Sequence, residues 1–370
     1  MTDLPLADPS ATDPSASTDP TSSPSTAGAR LDTLGMFDAT FGLPEQVEEA
    51  GRLDLDALPL PSGSDIGSVV LLGMGGSGIG GDLVAAVSGP LSSVPVLVTK
   101  GYDVPAFVDR RTLVVALSFS GNTEETISAA TQAHEAGAKV LVICEGGRLA
   151  ELGAGWNVPV VRLPGGIPMP RAGVGALGIP PLLVLDRLGL LPGAKAQIAS
   201  AVDQLKRRRD ALLLPNSAAA GLARRIGRTL AVVYAGGNLG AVAASRWKCQ
   251  INENAKVPAF ANVLPELCHN EICGWGQHGD VTRQVFTQIL LRHDFEHPGI
   301  SRRFDLIEPL VDEVVSTTLT VRAEGDGPLA QLLDLVLMGD VTSLELAAQE
   351  GLDPGPVPVL DQIKQALAAG

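Results

Sequence analysis

Short, continuous apolar runs alternate with helical patterns along most of this chain. Examples are VVLL before a glycine loop and a helix, and LVVALS before an amphipathic helix and the run KVLVIC. Strands that are buried on both faces have such continuous runs, and alternation with helices is typical of a parallel sheet covered by helices. We therefore predict an α/β fold of doubly wound parallel sheets, each in three layers of helix, sheet and helix.

The same plan repeats in the second half of the chain. A strand, a glycine turn and a helix recur in RTLAVVYAGGNLG, and further apolar runs follow. With 370 residues the chain is long enough for two domains. We predict an N-terminal subdomain over residues 30–195 and a C-terminal subdomain over residues 210–370. A charged helix with the basic run 206–209 lies between them, and this run is predicted to be its solvated face or the linker between the halves.

Residues 1–29 differ from the rest of the chain in composition. They are mostly Ser, Thr, Pro, Asp and Ala, and they contain no Lys or Arg. Such a composition buries too little apolar surface to offset the entropy lost on ordering, so we predict a disordered tail. The segment also lacks the basic start and apolar run of a secretory signal.

Charge and cysteine content narrow the classes of partner and site. The net charge of −14 argues against nucleic acid and against an anionic membrane, and no apolar run reaches the roughly 18 residues of a membrane-spanning helix. The four cysteines, which include Cys144 and Cys249, have mixed spacings. We therefore predict that they are reduced thiols in a cytoplasmic protein. Cys268, His269 and Cys273 lie close together, but no second pair completes a zinc tetrahedron, so no metal is predicted.

A glycine-rich loop, GMGGSGIGG, lies between a predicted strand and a predicted helix. Glycine permits positive φ and a close approach of the backbone, so amides can face an anion beside the helix N-terminus. Gly73, Gly75 and Gly78 also match the G-x-G-x-x-G pattern of dinucleotide folds, which requires an acidic residue at the end of the second strand. Lys100 stands there instead. A nicotinamide enzyme stays an alternative, and phosphate binding is favoured.

A second loop, SFSGNTEET, also follows a predicted strand. Ser118, Ser120 and Thr123 offer hydroxyls at the carboxyl end of that strand, where open α/β sheets bind ligands. Hydroxyls and amides without Lys or Arg suit a phosphate monoester held by hydrogen bonds. With Gly76 and Ser77 of the glycine loop they form the predicted phosphate site. The alternative is a helix N-terminus capped by the side chain of Thr123, and both can hold at once.

The two loops together resemble the sugar isomerase (SIS) domain. The later segments PMPRAGVG, NENAK, PELCHNEI and DPGPV resemble, more narrowly, the bifunctional phosphoglucose/phosphomannose isomerase family, from about residue 31 to the C-terminus. The resemblance implies two SIS-type subdomains and interconversion of glucose 6-phosphate and mannose 6-phosphate with fructose 6-phosphate through an enediolate. It also implies no metal, no cofactor, and a homodimer with active sites at the subunit interface.

Aldose–ketose isomerisation moves a proton between C1 and C2, which requires a base near both carbons and positive charge near the developing oxyanion. By the resemblance, Glu253 is the base and Arg171 stabilises the enediolate. We expect Asn252 and Asn254, on either side of Glu253, to orient it by hydrogen bonds. The alternative for Glu253 is an exposed glutamate at a helix end.

The resemblance assigns two further catalytic roles. His269 would open the sugar ring in the active site of the partner subunit, and histidine titrates near neutral pH as that role requires. Lys364 would point at the substrate from the last helix, although an exposed lysine is the ordinary interpretation. Glu266 and Glu271, which flank His269, are interpreted as structural.

The chain departs from the family in its C-terminal segment. Gly355 stands where a threonine is typical, and that threonine is associated with activity on both epimers. Either the glycine leaves more space for the substrate, or activity is reduced or narrowed. A non-catalytic sugar-phosphate sensor and an amino-sugar isomerase are the competing hypotheses, and the combination of Glu253, His269 and Arg171 disfavours the sensor.

Overall fold

The computed structural model describes residues 30–56 and 58–369, which form two parallel sheets. The first sheet has the order β2-β1-β3-β4-β5 and the second the order β7-β6-β8-β9, with every neighbouring pair parallel. The strands are β1 (Ser68–Leu72), β2 (Val96–Thr99), β3 (Thr112–Ser118), β4 (Lys139–Cys144), β5 (Val160–Arg162), β6 (Leu230–Gly236), β7 (Ala259–Leu264), β8 (Phe286–Arg292) and β9 (Thr317–Arg322). The predicted α/β fold is confirmed. The predicted disordered tail lies outside the described residues.

Helices connect the strands and cover both sheets. The α-helices are α1 (Met36–Phe41), α2 (Leu43–Ala50), α3 (Gly75–Ser88), α4 (Glu124–Glu135), α5 (Gly147–Gly155), α6 (Val174–Arg187), α7 (Ala194–Leu212), α8 (Ala218–Ile226), α9 (Gly237–Gln250), α10 (Gly279–Val285), α11 (Pro298–Asp312), α12 (Pro328–Gln349) and α13 (Pro358–Ala369). Short 3-10 helices cover Gly63–Asp65, Pro170–Ala172, Glu266–His269 and Glu271–Gly276, and Ile251–Ala255 is a π-helical turn. Within the described part of the chain, none of the helices has both the length and the apolar character needed to cross a membrane.

One hydrophobic core is shared by the two sheets. Leu71 and Val115 of the first sheet and Val233 and Ile289 of the second belong to it, together with residues of α3, α6, α7, α9 and α12. The opposite face of the first sheet packs against α4 and α5, and that of the second packs against α11. Each sheet therefore has helices on both faces, as predicted. The subdomain boundaries at 195 and 210 stay a prediction.

The basic run in α7 is a solvated face only at Arg207, and that prediction is wrong for the other three residues, which pair with other helices. The linker alternative stays a prediction. Arg208 forms a bidentate ion pair with the buried Asp334 of α12, with nitrogen–oxygen distances of 2.7 Å. Lys206 pairs with Glu48 of α2 at 2.9 Å. Arg209 also reaches α2. These partners lie more than a hundred residues away in sequence, so the run alone could not identify them.

Candidate active site

The carboxyl ends of β1 and β3 lie side by side at the point where the strand order of the first sheet reverses. Open α/β sheets bind ligands in the crevice at such a switch point. The glycine loop follows β1 and the hydroxyl loop follows β3, so both predicted phosphate-binding loops lie there. They are in direct contact, because the amide of Phe119 donates a hydrogen bond of 3.0 Å to Oγ of the buried Ser77.

The hydroxyl loop is held by its own side chains. Ser118 Oγ and Thr123 Oγ1 are 2.9 Å apart, and Ser118 Oγ also accepts from the amide of Gly121 at 3.1 Å. Ser120 is exposed, and its Oγ accepts from the amide of Asn122 at 3.2 Å. Thr123 is the N-cap residue of α4 but makes no side-chain capping bond, so the predicted capping by its hydroxyl is wrong. Its hydroxyl belongs to the loop.

Gly76 joins the glycine loop to the segment that carries Arg171. A Cβ at Gly76 would lie 2.8 Å from the carbonyl oxygen of Pro170 and 3.1 Å from the amide nitrogen of Arg171. Only glycine permits this approach, because the obstructing atoms are backbone. The predicted phosphate site and Arg171 are therefore adjacent.

Arg171 lies in the 3-10 helix Pro170–Ala172 between β5 and α6, and it is 3% exposed. Its Nη2 donates to the carbonyl oxygens of Pro354 at 2.6 Å and Gly355 at 2.7 Å. Its Nε donates to Oδ1 of Asn254 at 2.8 Å. Nη1 lies 3.6 Å from Oε2 of Glu253. The structure thus brings the two residues together, with Nη1 directed at the carboxylate.

Burial lowers the pKa of Arg171 from its ordinary value, and the charge of Glu253 opposes that change. An arginine stays protonated under such conditions because its intrinsic pKa is so high. The guanidinium is therefore a fixed positive charge facing the glutamate.

Glu253 lies on the π-helical turn Ile251–Ala255, which extends α9 beyond Gln250. Insertions of this type inside helices are frequent at functional sites. The side chain of Glu253 is 31% exposed, whereas that of Arg171 is almost fully buried. A ligand could therefore reach the carboxylate from the solvent side while Arg171 contacts it from the protein side.

The two asparagines beside Glu253 do not orient its carboxylate, so that prediction is wrong. Asn252 Nδ2 donates to the carbonyl oxygen of Val257 at 2.9 Å, which closes the turn. Asn254 is fully buried, and it bonds to Arg171 and to Ser343 Oγ at 2.8 Å. The asparagine predicted to hold the base instead holds the arginine.

Lys256 is a residue of the site to which the sequence assigned no role. It has a positive φ of 60°, and its Nζ donates to the carbonyl oxygen of Glu253 and, at 3.3 Å, to that of Pro354. Burial, and then the charge of Arg171, lower the pKa of Lys256. The lysine therefore ties the turn of the glutamate to the loop that Arg171 also holds. In the sequence, only the position of Lys256 in the segment NENAK pointed to a role in the site.

His269 and Lys364 are both exposed. His269 ends the 3-10 helix that follows β7, and Lys364 lies on α13. Among the described residues, no hydrogen bond or ion pair joins either side chain to Arg171 or Glu253. Their predicted catalytic roles stay predictions.

The glutamates near His269 hold the segment after β7. Glu271 accepts a hydrogen bond of 2.5 Å from the hydroxyl of Tyr234 and another from the amide of Asn262. Burial and this carboxylate raise the pKa of Tyr234. Glu266 Oε1 accepts from Asn270 Nδ2 at 2.9 Å. These contacts agree with the predicted structural role.

Gly355 does not leave open space, contrary to one of the two predicted consequences. A Cβ at Gly355 would lie 2.8 Å from Cγ and 2.9 Å from Cβ of Leu34. The same N-terminal segment is fixed to the loop by Thr33, whose Oγ1 donates to Asp353 Oδ2 at 2.5 Å. The room beside the glycine is thus filled by a side chain from the other end of the described chain.

The cysteines are free thiols. Within residues 30–56 and 58–369 there is no group of three or more His, Cys, Asp or Glu side chains arranged to hold a metal ion. Cys268, His269 and Cys273 therefore do not form such a group.

Two family models match the chain. The model of the bacterial phospho-glucose isomerase C-terminal SIS domain matches residues 216–367, and that of the SIS domain matches residues 64–151. Their descriptions agree with the resemblance found in the two loops and in the later segments.

Two relatives align over most of the chain. The bifunctional phosphoglucose/phosphomannose isomerase of Caldicellulosiruptor bescii is 36% identical over 337 residues, which cover 90% of this chain and 99% of the relative. The protein of the same name from Aquifex aeolicus is 35% identical over 300 residues, which cover 81% of this chain and 90% of the relative.

A solved structure of a glucose-6-phosphate isomerase-like protein from Thermus thermophilus has the same fold. Its TM-score is 0.60 at 18% identity, over 89% of this chain and 96% of that chain. At this level of identity, the similarity shows the fold alone.

Proposed function

The chain belongs to the bifunctional phosphoglucose/phosphomannose isomerase family, and we propose that it interconverts glucose 6-phosphate and mannose 6-phosphate with fructose 6-phosphate. The observation that carries this proposal is the distance of 3.6 Å between Arg171 Nη1 and Glu253 Oε2. Both residues lie beside the loops that follow β1 and β3. A carboxylate, a guanidinium and an uncharged anion site are the groups that aldose–ketose isomerisation of a sugar phosphate requires.

Phosphate binding is assigned to the two loops after β1 and β3. Gly76, Ser77, Ser118, Ser120 and Thr123 supply hydroxyls and amides at the switch point. Because this site carries no charge of its own in these side chains, hydrogen bonds would hold the phosphate and fix the sugar relative to Glu253.

Proton transfer is assigned to Glu253. Its carboxylate removes the proton from C2 of the open-chain aldose, the carbonyl electrons move to O1, and an enediolate forms. The proton of the C2 hydroxyl passes to O1, and the same carboxyl group then returns its proton to C1 as the carbonyl forms at C2, which gives the ketose. Nη1 of Arg171 faces the negative charge that develops on the enediolate oxygens, and a fixed cation in a buried setting stabilises that charge strongly.

This sequence of steps uses no metal and no cofactor, because a base and a fixed cation suffice for it. The proposed substrate is a small anion, and the net charge of −14 gives no support to nucleic acid or membrane partners. A cytoplasmic location is proposed with it, since hexose phosphates are cytoplasmic metabolites and the cysteines are free thiols.

A homodimer with a shared active site is proposed for the remaining residues. His269 is exposed, so a second subunit could receive it, and α13 carries Lys364 next to an unpaired apolar face. That face exposes Val359, Leu360 and Ile363 to more than a third of their area. An exposed apolar helix face of this kind is typical of a surface that another chain covers.

Replacing Glu253 by glutamine tests the assignment. Glu253→Gln keeps the size and the hydrogen bonding of the side chain but removes its basicity. We expect kcat to fall about 10²–10⁴-fold with KM nearly unchanged, which is the usual contribution of a general base. A coupled assay that starts from fructose 6-phosphate and measures each aldose product gives both constants.

Glu266→Gln is the matched control, because Glu266 is an exposed glutamate of the neighbouring segment. It should keep wild-type turnover. Undiminished turnover in Glu253→Gln would refute the mechanism. A wild-type protein that binds hexose phosphates without turnover would instead be the non-catalytic sensor.

A further inference from the structure

A closed ring of hydrogen bonds surrounds Arg171 behind the proposed site. It begins at the backbone carbonyl of Arg171 and returns to the Nε of the same residue. Its other members are Arg246, Asp340, Ser343 and Asn254. None of them is assigned to substrate binding or proton transfer above.

The first half of the ring fixes the backbone of Arg171. Arg246 Nη2 donates to the carbonyl oxygen of Arg171 at 2.7 Å. The same guanidinium forms a bidentate pair with Asp340, with 2.9 Å from Nε to Oδ1 and 2.6 Å from Nη2 to Oδ2. Paired bonds of this kind fix both the position and the plane of the guanidinium.

The second half fixes the side chain of Arg171. Ser343 Oγ donates to the carbonyl oxygen of Asp340 at 2.6 Å, one turn earlier in α12. Asn254 Nδ2 donates to Ser343 Oγ at 2.8 Å, and Asn254 Oδ1 accepts from Arg171 Nε at 2.8 Å. The serine hydroxyl therefore determines which way the amide of Asn254 faces, and the amide oxygen determines the rotation of the guanidinium.

The ring is buried, and its charged members have different partners. Arg171, Arg246, Asn254, Asp340 and Ser343 are each at most 3% exposed. The buried carboxylate of Asp340 pairs with Arg246, and the positive charge of Arg171 faces Glu253 through Nη1. Burial raises the pKa of Asp340, and the charge of Arg246 opposes it.

We propose that Asn254 and Ser343 are positioning residues, which keep Nη1 of Arg171 directed at Glu253 and the reacting carbons. This inference rests on the function proposed above. With Nε and Nη2 engaged, Nη1 is the part of the guanidinium left for the substrate, and its direction follows from the bonds on the other nitrogens. A misdirected cation loses transition-state stabilisation while phosphate binding at the loops continues.

Ser343→Ala removes the hydroxyl between Asn254 and the carbonyl of Asp340. We expect kcat to fall at least about 10-fold, since a misplacement of about 1 Å can cost about 10²-fold, with KM within about 2-fold of wild type. Thr342→Val is the matched control. Thr342 is equally buried on α12, but its hydroxyl only donates to the carbonyl of Met338 within the helix. The control should keep wild-type kcat.

A double-mutant cycle with Arg171→Lys shows whether the effect acts through Arg171. Lysine has no Nε to bond Asn254, so adding Ser343→Ala to Arg171→Lys should change kcat by less than about 2-fold. A full second loss in that background, or wild-type kcat in Ser343→Ala alone, would overturn the inference. If Ser343→Ala does not fold, Ser343→Cys, which keeps a weaker donor and acceptor, gives the same comparison.

The cycle also separates this inference from the proposed function. Unchanged turnover in Arg171→Lys alone would contradict the role of Arg171 and overturn the positioning role with it. A loss in Arg171→Lys without any coupling to Ser343 would overturn the positioning role only.

Discussion

The two sheets have corresponding strand orders, and each has a switch point, but the two switch points differ in what fills them. In the first sheet, the loops after β1 and β3 place hydroxyls and glycine amides next to Arg171. In the second sheet, the loops after β6 and β8 are filled by charged side chains of the chain itself. Arg292 and Glu296 form a bidentate ion pair there, and both are buried.

Contacts within the chain fill the second switch point. The amide of His293 donates to Glu296 Oε1 at 3.1 Å, and the imidazole of His293 is bonded to the carbonyl of Gly236 at 2.9 Å. Arg292 lies 4.2 Å above the ring of Phe304. A Cβ at Gly236 would lie only 2.3 Å from Ile300 Cγ2. Side chains thus fill the crevice that the topology would leave for a ligand.

The comparison shows that topology supplies a place for an anion but not its identity. At the second switch point, the anion is the carboxylate of Glu296, bound by an arginine and a backbone amide. At the first, among the described residues, the hydroxyls of Ser77, Ser118, Ser120 and Thr123 bond to no carboxylate, and the proposed phosphate would take that place. In this fold, the candidate ligand site is therefore the switch point at which no carboxylate of the chain itself is bound.

Glu296→Gln breaks the closed switch point and should have the largest effect on stability. It leaves the buried Arg292 without a carboxylate, and breaking a buried pair in this way costs about 3–5 kcal/mol. Denaturant unfolding measures the loss, and kcat of the folded enzyme should stay at the wild-type value. Glu313→Gln, at the exposed end of α11, is the control and should change neither quantity. A stable Glu296→Gln variant would show that the pair does not support the second sheet.

Alanine at one glycine of each switch point sharpens the contrast. A Cβ at Gly76 presses on the backbone of Pro170 and Arg171, whereas a Cβ at Gly236 presses on the side chain of Ile300. Overpacking of this kind costs about 1–3 kcal/mol. We expect Gly76→Ala to lower kcat because it displaces Arg171, and Gly236→Ala to lower the melting temperature with kcat preserved. The same balance of effects in both variants would contradict the distinction between an active and a structural switch point.

Removing one hydroxyl from the open switch point should have the smallest effect. Ser118→Ala loses a donor to the phosphate, and a hydrogen bond to a charged group contributes about 1.5–3 kcal/mol, so KM should rise about 10-fold or more with kcat nearly unchanged. Thr126→Val is the control, because the hydroxyl of Thr126 is buried without a hydrogen-bond partner eight positions further on. Steady-state kinetics at saturating substrate separates the two constants. An unchanged KM would remove Ser118 from the phosphate site.

Much of this fold can be predicted from the sequence because its central strands are buried on both faces. Continuous runs such as those of β1, β3 and β4 admit few other interpretations. The edge strand β7 was missed, since its segment AFANVL does not alternate and exposes Phe260. The partners of the basic run in α7 were missed because ion pairs between distant elements leave no local pattern.

The site was predictable in its residues more than in its contacts. The family resemblance named Arg171 and Glu253, and the structure brings them together. The role of Asn254 was mistaken, because its partners Arg171 and Ser343 lie 83 and 89 residues away in sequence. A chain of hydrogen bonds across three elements cannot be inferred from neighbours in sequence. The roles of His269 and Lys364 stay predictions, since both side chains are exposed and neither is bonded to Arg171 or Glu253 in the part of the chain that the structure describes.

The contact between Leu34 and Gly355 has a consequence for how sequences of this kind diverge. A leucine at 34 excludes a side chain at 355, and a side chain at 355 requires a smaller or displaced residue at 34. The two positions therefore form one unit of variation, although they lie near opposite ends of the chain. If a residue of a relative is introduced at one of these positions alone, the measured effect includes the mismatch with the other position. It is therefore not the effect of that single residue.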